Sequence, residues 1–189
     1  MELKMKRYIA FLRAINVGGH VVKMEPLRHL FESMSLARVE TYIASGNVIF
    51  DSIASDIPAL EKEIANQLQA ALGYEVATFI RTTVELSAIA RYRPFPGSEL
   101  EADGVSLYIG FLAETLSPEA QQKVLAFRTP VDDFHVYQRE IYWLCRVRSS
   151  ESEFSLARLE KALRIKATFR NSTTVKKMAA QFNDQVMRD

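Results

Sequence analysis

The chain has 189 residues, 48% of them hydrophobic and 25% charged, a balance that suits a water-soluble globular protein of one large or two small domains. Its 24 Lys and Arg against 23 Asp and Glu leave a formal charge of +1, so no global field draws it to nucleic acid or anionic lipid, although a local basic patch stays open. The single cysteine, Cys145, excludes an intramolecular disulfide, and the apolar run 8–12, stopped by Arg13, is too short for a signal-peptide core or a membrane span. A reducing, cytoplasmic setting with no membrane partner is the expectation.

In chain order, the unbroken run Ile9-Ala10-Phe11-Leu12 predicts a strand covered on both faces. After Gly18-Gly19, Pro26 suits the first turn of a helix whose Leu27, Leu30, Phe31 and Met34 fall on one stripe. Residues 39–44 and 48–50 predict strands joined by Ser45-Gly46-Asn47, a tight-hairpin signal because Gly and Asn tolerate positive φ. Ile57, Leu60, Ile64, Leu68 and Leu72 mark a second helix closed by Gly73, with Glu61-Lys62-Glu63 read as its solvated face. A strand over 74–81 completes β-α-β-β-α-β, a ferredoxin-like half. Thr82 and Glu85 then fit a capping box for a short helix through Tyr92. Arg93-Pro94-Phe95-Pro96-Gly97 breaks that helix and a polar stretch follows. The expected division is a first half over 1–93, a connecting segment over 94–103 and a second half over 104–189.

The second half restarts the pattern. Residues 105–113 form an apolar strand, Ser117-Pro118-Glu119 opens a helix, and 134–138 with 141–147 make a hairpin around Arg139-Glu140. Leu156, Leu159 and Leu163 mark another helix. No closing strand is evident. In its place stand Thr168-Phe169-Arg170-Asn171 and a last helix striped by Val175, Met178, Ala179, Phe182 and Val186. The predicted class is therefore α+β: two ferredoxin-like (βαββαβ-type) halves, the second incomplete and followed by a C-terminal helix, repeating element order rather than residue identity.

Three stretches, FLRAINVGG over 11–19, TYIASGNVIF over 41–50 and TFRNSTTVKK over 168–177, together resemble the bacterial family known as domain of unknown function 1697, across nearly the whole chain. Ala14 departs from the glycine usual in that family, and Arg93 from the asparagine usual before Pro-Phe. The resemblance implies a fold and a set of shared positions, with no settled activity.

In a β-α-β-β-α-β half the first two strands run toward the same end, so the loop after one and the hairpin after the other share it. That juxtaposes Arg13, Asn16, Gly18 and Gly19 with Ser45, Gly46 and Asn47: a guanidinium fork, two amides, a hydroxyl and exposed N–H groups, the parts of an anion or polar-ligand site. The competing reading is that the glycines turn the chain while the asparagines satisfy local backbone groups. A second constellation is Arg170, Asn171, Thr174 and Lys177. Asn171 or Ser172 can cap the last helix, whose start offers free N–H groups, and Thr174 and Lys177 share one face; plain capping beside a solvated lysine is the alternative. The C-terminal motif is expected to fold back so that Arg170 and Asn171 join Arg13, Asn16 and Asn47 around one bound anion.

Other chemistry is sparse. His20, His29 and His135 lack metal-ligand spacing, so no metal is expected, and His20 beside Gly19 is the one candidate acid or base. Gly18-Gly19 is neither a Walker loop nor a dinucleotide fingerprint, no cofactor is specified, and no G-x-S-x-G elbow occurs. Cys145 lies in an apolar strand and is expected to be buried and inert. The expected function is binding of a small anionic or polar ligand at the Arg13/Asn47 end, with catalysis and oligomeric state left open. A nucleic-acid-binding module is the rival; it is disfavoured by the absence of a basic-aromatic run over 48–50, by strands apolar on both faces, and by the near-zero charge. A protein-interaction module is the third option.

Overall fold

A computed structural model of the chain describes residues 5–16 and 21–183. Contacts divide it into two units, Met1–Leu86 and Ser87–Asp189. The first contains β1 (Lys6–Leu12), α1 (Met24–Ser33), β2 (Ala37–Thr41), β3 (Asn47–Ser52), α2 (Ile57–Leu72) and β4 (Thr78–Thr82). Helix α3 (Thr83–Arg91) spans the division. The second unit continues with α4 (Gly97–Leu100), β5 (Ser106–Phe111), α5 (Pro118–Leu125), β6 (Asp132–Tyr137), β7 (Glu140–Cys145), α6 (Leu156–Leu163), β8 (Thr168–Asn171) and α7 (Ser172–Asn183). Each unit carries a four-stranded antiparallel sheet, ordered β2-β3-β1-β4 in the first and β6-β7-β5-β8 in the second, which is the ferredoxin-like order twice over.

Local chemistry fixes most element ends. Asp56 Oδ1 accepts from Ala59 N at 3.0 Å to start α2, and Gly73, at φ +80°, closes it with its N–H on Gln69 O. Ser117 Oγ and Ser155 Oγ cap α5 and α6 in the same way. The Thr82/Glu85 capping box is formed in both directions: Glu85 N donates to Thr82 Oγ1 at 3.1 Å, and Thr82 N to Glu85 Oε2 at 2.8 Å.

The period-2 pattern of β1 and β3 then decides the packing. Tyr8, Ala10, Leu12, Val48 and Phe50 meet Leu27 and Phe31 of α1 and Leu60, Ile64 and Leu68 of α2 in one core. The alternate residues Ile9, Phe11 and Ile49 are also buried, so β1 is covered on both faces, as its unbroken apolar run predicts. In the second unit Phe134, Ile141, Trp143 and Cys145 pack with Val124 of α5 and Leu159 of α6, and α7 lies on β5 and β8. Among the described residues no helix is long and apolar enough to cross a membrane.

Three expectations need correction. The closing strand of the second half exists: β8 pairs along β5, with Arg170 opposite Ile109 and Phe169 opposite Gly110. A four-residue edge strand with an arginine at an inward position carries no apolar run to announce it. The halves also share residues, since the ladder sets Tyr8-Ile9-Ala10-Phe11-Leu12 and Tyr108-Ile109-Gly110-Phe111-Leu112 in the same register and they differ only at Ala10/Gly110. Finally, Glu61 is buried and its Oε1 accepts from Ile80 N at 2.6 Å. β4 is an edge strand, and the carboxylate supplies an acceptor that no neighbouring strand provides. Glu160 of α6 does the same beside β8, accepting from Ala167 N at 2.9 Å.

Candidate functional site

The end of the first unit where β1 and the β2–β3 hairpin meet is held by backbone bonds from Leu12 N to Gly46 O at 2.8 Å and from Arg13 N to Ala77 O at 2.9 Å. Asn16 clamps its own loop: Nδ2 donates to Ala44 O at 2.9 Å and Val22 O at 3.1 Å, while Oδ1 accepts from Val22 N at 2.6 Å. Asn47 is fully buried and donates to Tyr42 O and to Ser45 Oγ. Gly46 sits at φ +71°, and a Cβ there would lie 2.8 Å from the Ile15 Cβ, so the hairpin admits only glycine. Arg13 is half-buried in this loop, between the hairpin and the strand entry at Ala77. The structure thus brings Arg13, Asn16, Ser45, Gly46 and Asn47 together, with both asparagines bonded into the loops that carry them. Gly18, Gly19 and His20 lie outside the described residues, as does Val186.

At the start of α7, Asn171 rather than Ser172 is the cap, its Oδ1 accepting from Thr173 N at 2.8 Å. Beside it lies a cleft of about 160 Å³ lined by Ser106, Asn171, Ser172, Thr173 and Lys176, with Leu100, Val105 and Leu107 as its apolar wall. The helix turns Thr173 and Lys176 into this cleft. Half-buried Thr174 and exposed Lys177, the pair singled out from spacing, do not line it. Both pairs satisfy an i, i+3 rule, and only the direction in which β8 delivers the chain chooses between them.

Arg170 is 9% exposed, and its Nη1 donates to Thr168 Oγ1 at 2.8 Å and Phe169 O at 2.9 Å. Burial pushes its guanidinium down to about 10, which leaves it charged at neutral pH. Arg81 of β4 holds the corresponding ladder position, opposite Ile9, and is still more deeply buried, with Nη1 on Ile80 O at 2.8 Å. Arg81 carries no sequence signal that marks it as the counterpart of Arg170, because the repeat register that pairs them is visible only in the sheets.

Two further clefts lie in the second unit. One, of about 260 Å³, is lined by Ser87, Ala90 and Arg91 of α3 and by Lys176, Ala179 and Ala180 of α7. The other, of about 370 Å³, lies against Lys123, Phe127, Arg128, Phe154 and Arg158. Cys145 is buried, its Sγ on Val147 O, and burial pushes the thiol up.

Two antiparallel sheets in tandem, each backed by helices, define a protein of two ferredoxin-like units. The chain belongs to the family described as protein of unknown function (DUF1697), whose model matches residues 5–142. It is also similar to the structure of conserved bacterial protein SP0830 from Streptococcus pneumoniae, with 23% identity, a TM-score of 0.76, and coverage of 95% of this chain and 99% of that one. That likeness is one of fold. No curated protein matches the chain.

Proposed function

We propose that this protein binds a small anionic ligand through a phosphate or carboxylate group held at the start of α7. The observation that carries the reading is the polar cleft of about 160 Å³ formed there by Ser106, Ser172, Thr173 and Lys176. N–H groups of a first helical turn and the positive end of the helix dipole favour an anion, the hydroxyls donate, and Lys176 adds a full charge. The Arg13/Asn47 end of the first unit is a second reading. It is favoured by the half-buried guanidinium that the Leu12–Gly46 bond holds beside the hairpin. Cys145, the one cysteine of the chain, supports a reducing cytoplasmic setting.

The test is thermal unfolding with inorganic phosphate, acetate and a single-stranded oligonucleotide, since a ligand that binds the native state raises its apparent stability. Phosphate should raise the Tm of the wild type. Lys176→Ala should abolish that rise, and Arg13→Ala should leave it. The reverse pattern moves the site to the first unit. A response to the oligonucleotide alone, falling steeply with salt, would replace the reading with a nucleic-acid module.

A further inference from the structure

We infer that the ligand recognised at the start of α7 carries a second acidic group at the far end of a short apolar body, and that α7 with Ser87, Ala90 and Arg91 of α3 forms the groove that measures it. This rests on the anion reading above and deepens it. The cleft of about 260 Å³ shares Lys176 with the cleft at the helix start, so a single side chain stands between the two. Ser87, one of its lining residues, is 7% exposed, and its Oγ is buried with no hydrogen-bond partner. Such a hydroxyl is costly to leave unmet, and an incoming acceptor is one way to meet it. Arg91 Nε is held on Ser87 O at 3.2 Å, which orients the guanidinium while leaving its remaining N–H groups for an acid. Lys176 makes no hydrogen bond or ion pair among the described residues, so it can serve either cleft.

The walls decide what joins the two ends. Ala90, Ala179 and Ala180 present methyl groups, which suit a methylene chain and offer no polar atom to a sugar or a base. From Thr173 to Ala180 the helix advances about 10 Å at 1.5 Å per residue. The ligand class is therefore an elongated diacid, an α,ω-dicarboxylate or a phosphorylated carboxylic acid of that reach. Three features converge on this class: an orphaned buried hydroxyl, an oriented guanidinium and a methyl-lined wall in a cleft that holds two cationic side chains.

Isothermal titration of the full chain with suberate, malonate, octanoate and inorganic phosphate separates the possibilities. Suberate is expected to bind at least tenfold more tightly than malonate, which is too short, and than octanoate, which lacks the second acid. Exposed Arg91→Ala should bring suberate to the octanoate level while leaving phosphate affinity unchanged. Ser87→Ala adds a readout that a packing role would not give: the unliganded Tm should rise, because an unmet polar group is removed, while the suberate-induced shift shrinks. If phosphate binds and depends on Lys176, but suberate is no tighter than octanoate and Arg91→Ala changes nothing, the diacid inference is wrong and the anion site stands. If none of the four binds, both readings fall.

Discussion

At the residue scale, the loop after β1 shows what a left-handed backbone conformation costs a residue that carries a Cβ. Ala14 stands at φ +62°, in the left-handed region that a Cβ disfavours. The strain is about 1 to 2 kcal/mol for an L-residue, against about 0.5 to 1 kcal/mol for the extra backbone entropy that glycine loses on folding. Ala14→Gly should therefore stabilise the protein by about 0.5 to 1 kcal/mol. Urea unfolding checks this as a higher midpoint at an unchanged slope; a lower midpoint would mean that the entropy of glycine outweighs the strain. Asn16, at φ +55°, adopts the same region at less cost, because its side chain is bonded into the loop and asparagine tolerates it. Part of this was legible in the residues themselves: Gly46 and Gly73 take positive φ where turn chemistry predicts it, whereas Asn47, read as the third turn residue, is the first residue of β3.

At the scale of elements, legibility stops where an acceptor or a partner comes from far along the chain. Helices α2, α5 and α6 could be read from their stripes and caps, whereas Glu61 has the sequence context of a solvated helix face and becomes the acceptor for an edge strand nineteen positions on. Glu61→Ala should leave Ile80 N unmet in a buried setting and destabilise the protein by about 1 to 3 kcal/mol. The same substitution at exposed Glu63 should stay within about 0.5 kcal/mol, so chemical denaturation of the pair isolates the buried bond. β6 offers a pH-dependent counterpart. His135 Nε2 lies 2.8 Å from Tyr92 Oη, and burial, aided by the charge of Arg128, pushes the ring below its ordinary 6.5 against the pull of Asp133. The unfolded chain then binds a proton more readily than the folded one in the window below 6.5. The contribution of the neutral ring is fully present above that value and is lost as pH falls through the folded pKa. The stability difference between wild type and His135→Gln should shrink on acidification through that window, and a difference that grows would reverse the assignment.

At the scale of the whole molecule, the second half repeats the first with compensating changes, and one ladder position makes that argument testable. Ala10 faces Ile80 across β1 and β4, and Gly110 faces Phe169 across β5 and β8. Where the strand residue loses its methyl group, the partner gains a ring. A Cβ built on Gly110 would lie 2.5 Å from the Phe169 Cζ and within 2.8 Å of both Cε atoms, so the ring lies directly over the glycine. The sequence alone shows neither pairing, because the partners are separated by most of a half and β8 carries too few apolar residues to be read as a strand. Gly110→Ala should therefore destabilise by about 1 to 3 kcal/mol through overpacking, and Phe169→Ile by a similar amount through the space it vacates. Made together they transplant the small-large pair of the first unit into the second. The double variant should then be more stable than the sum of the singles predicts, by an interaction energy of about 1 to 2 kcal/mol. Additive effects in a full double-mutant cycle would mean that Gly110 and Phe169 act separately, and that the likeness of YIAFL to YIGFL does not extend to the way the residues pack. A favourable coupling means that strand and partner act as one unit, conserved in shape across the two halves while both residues change.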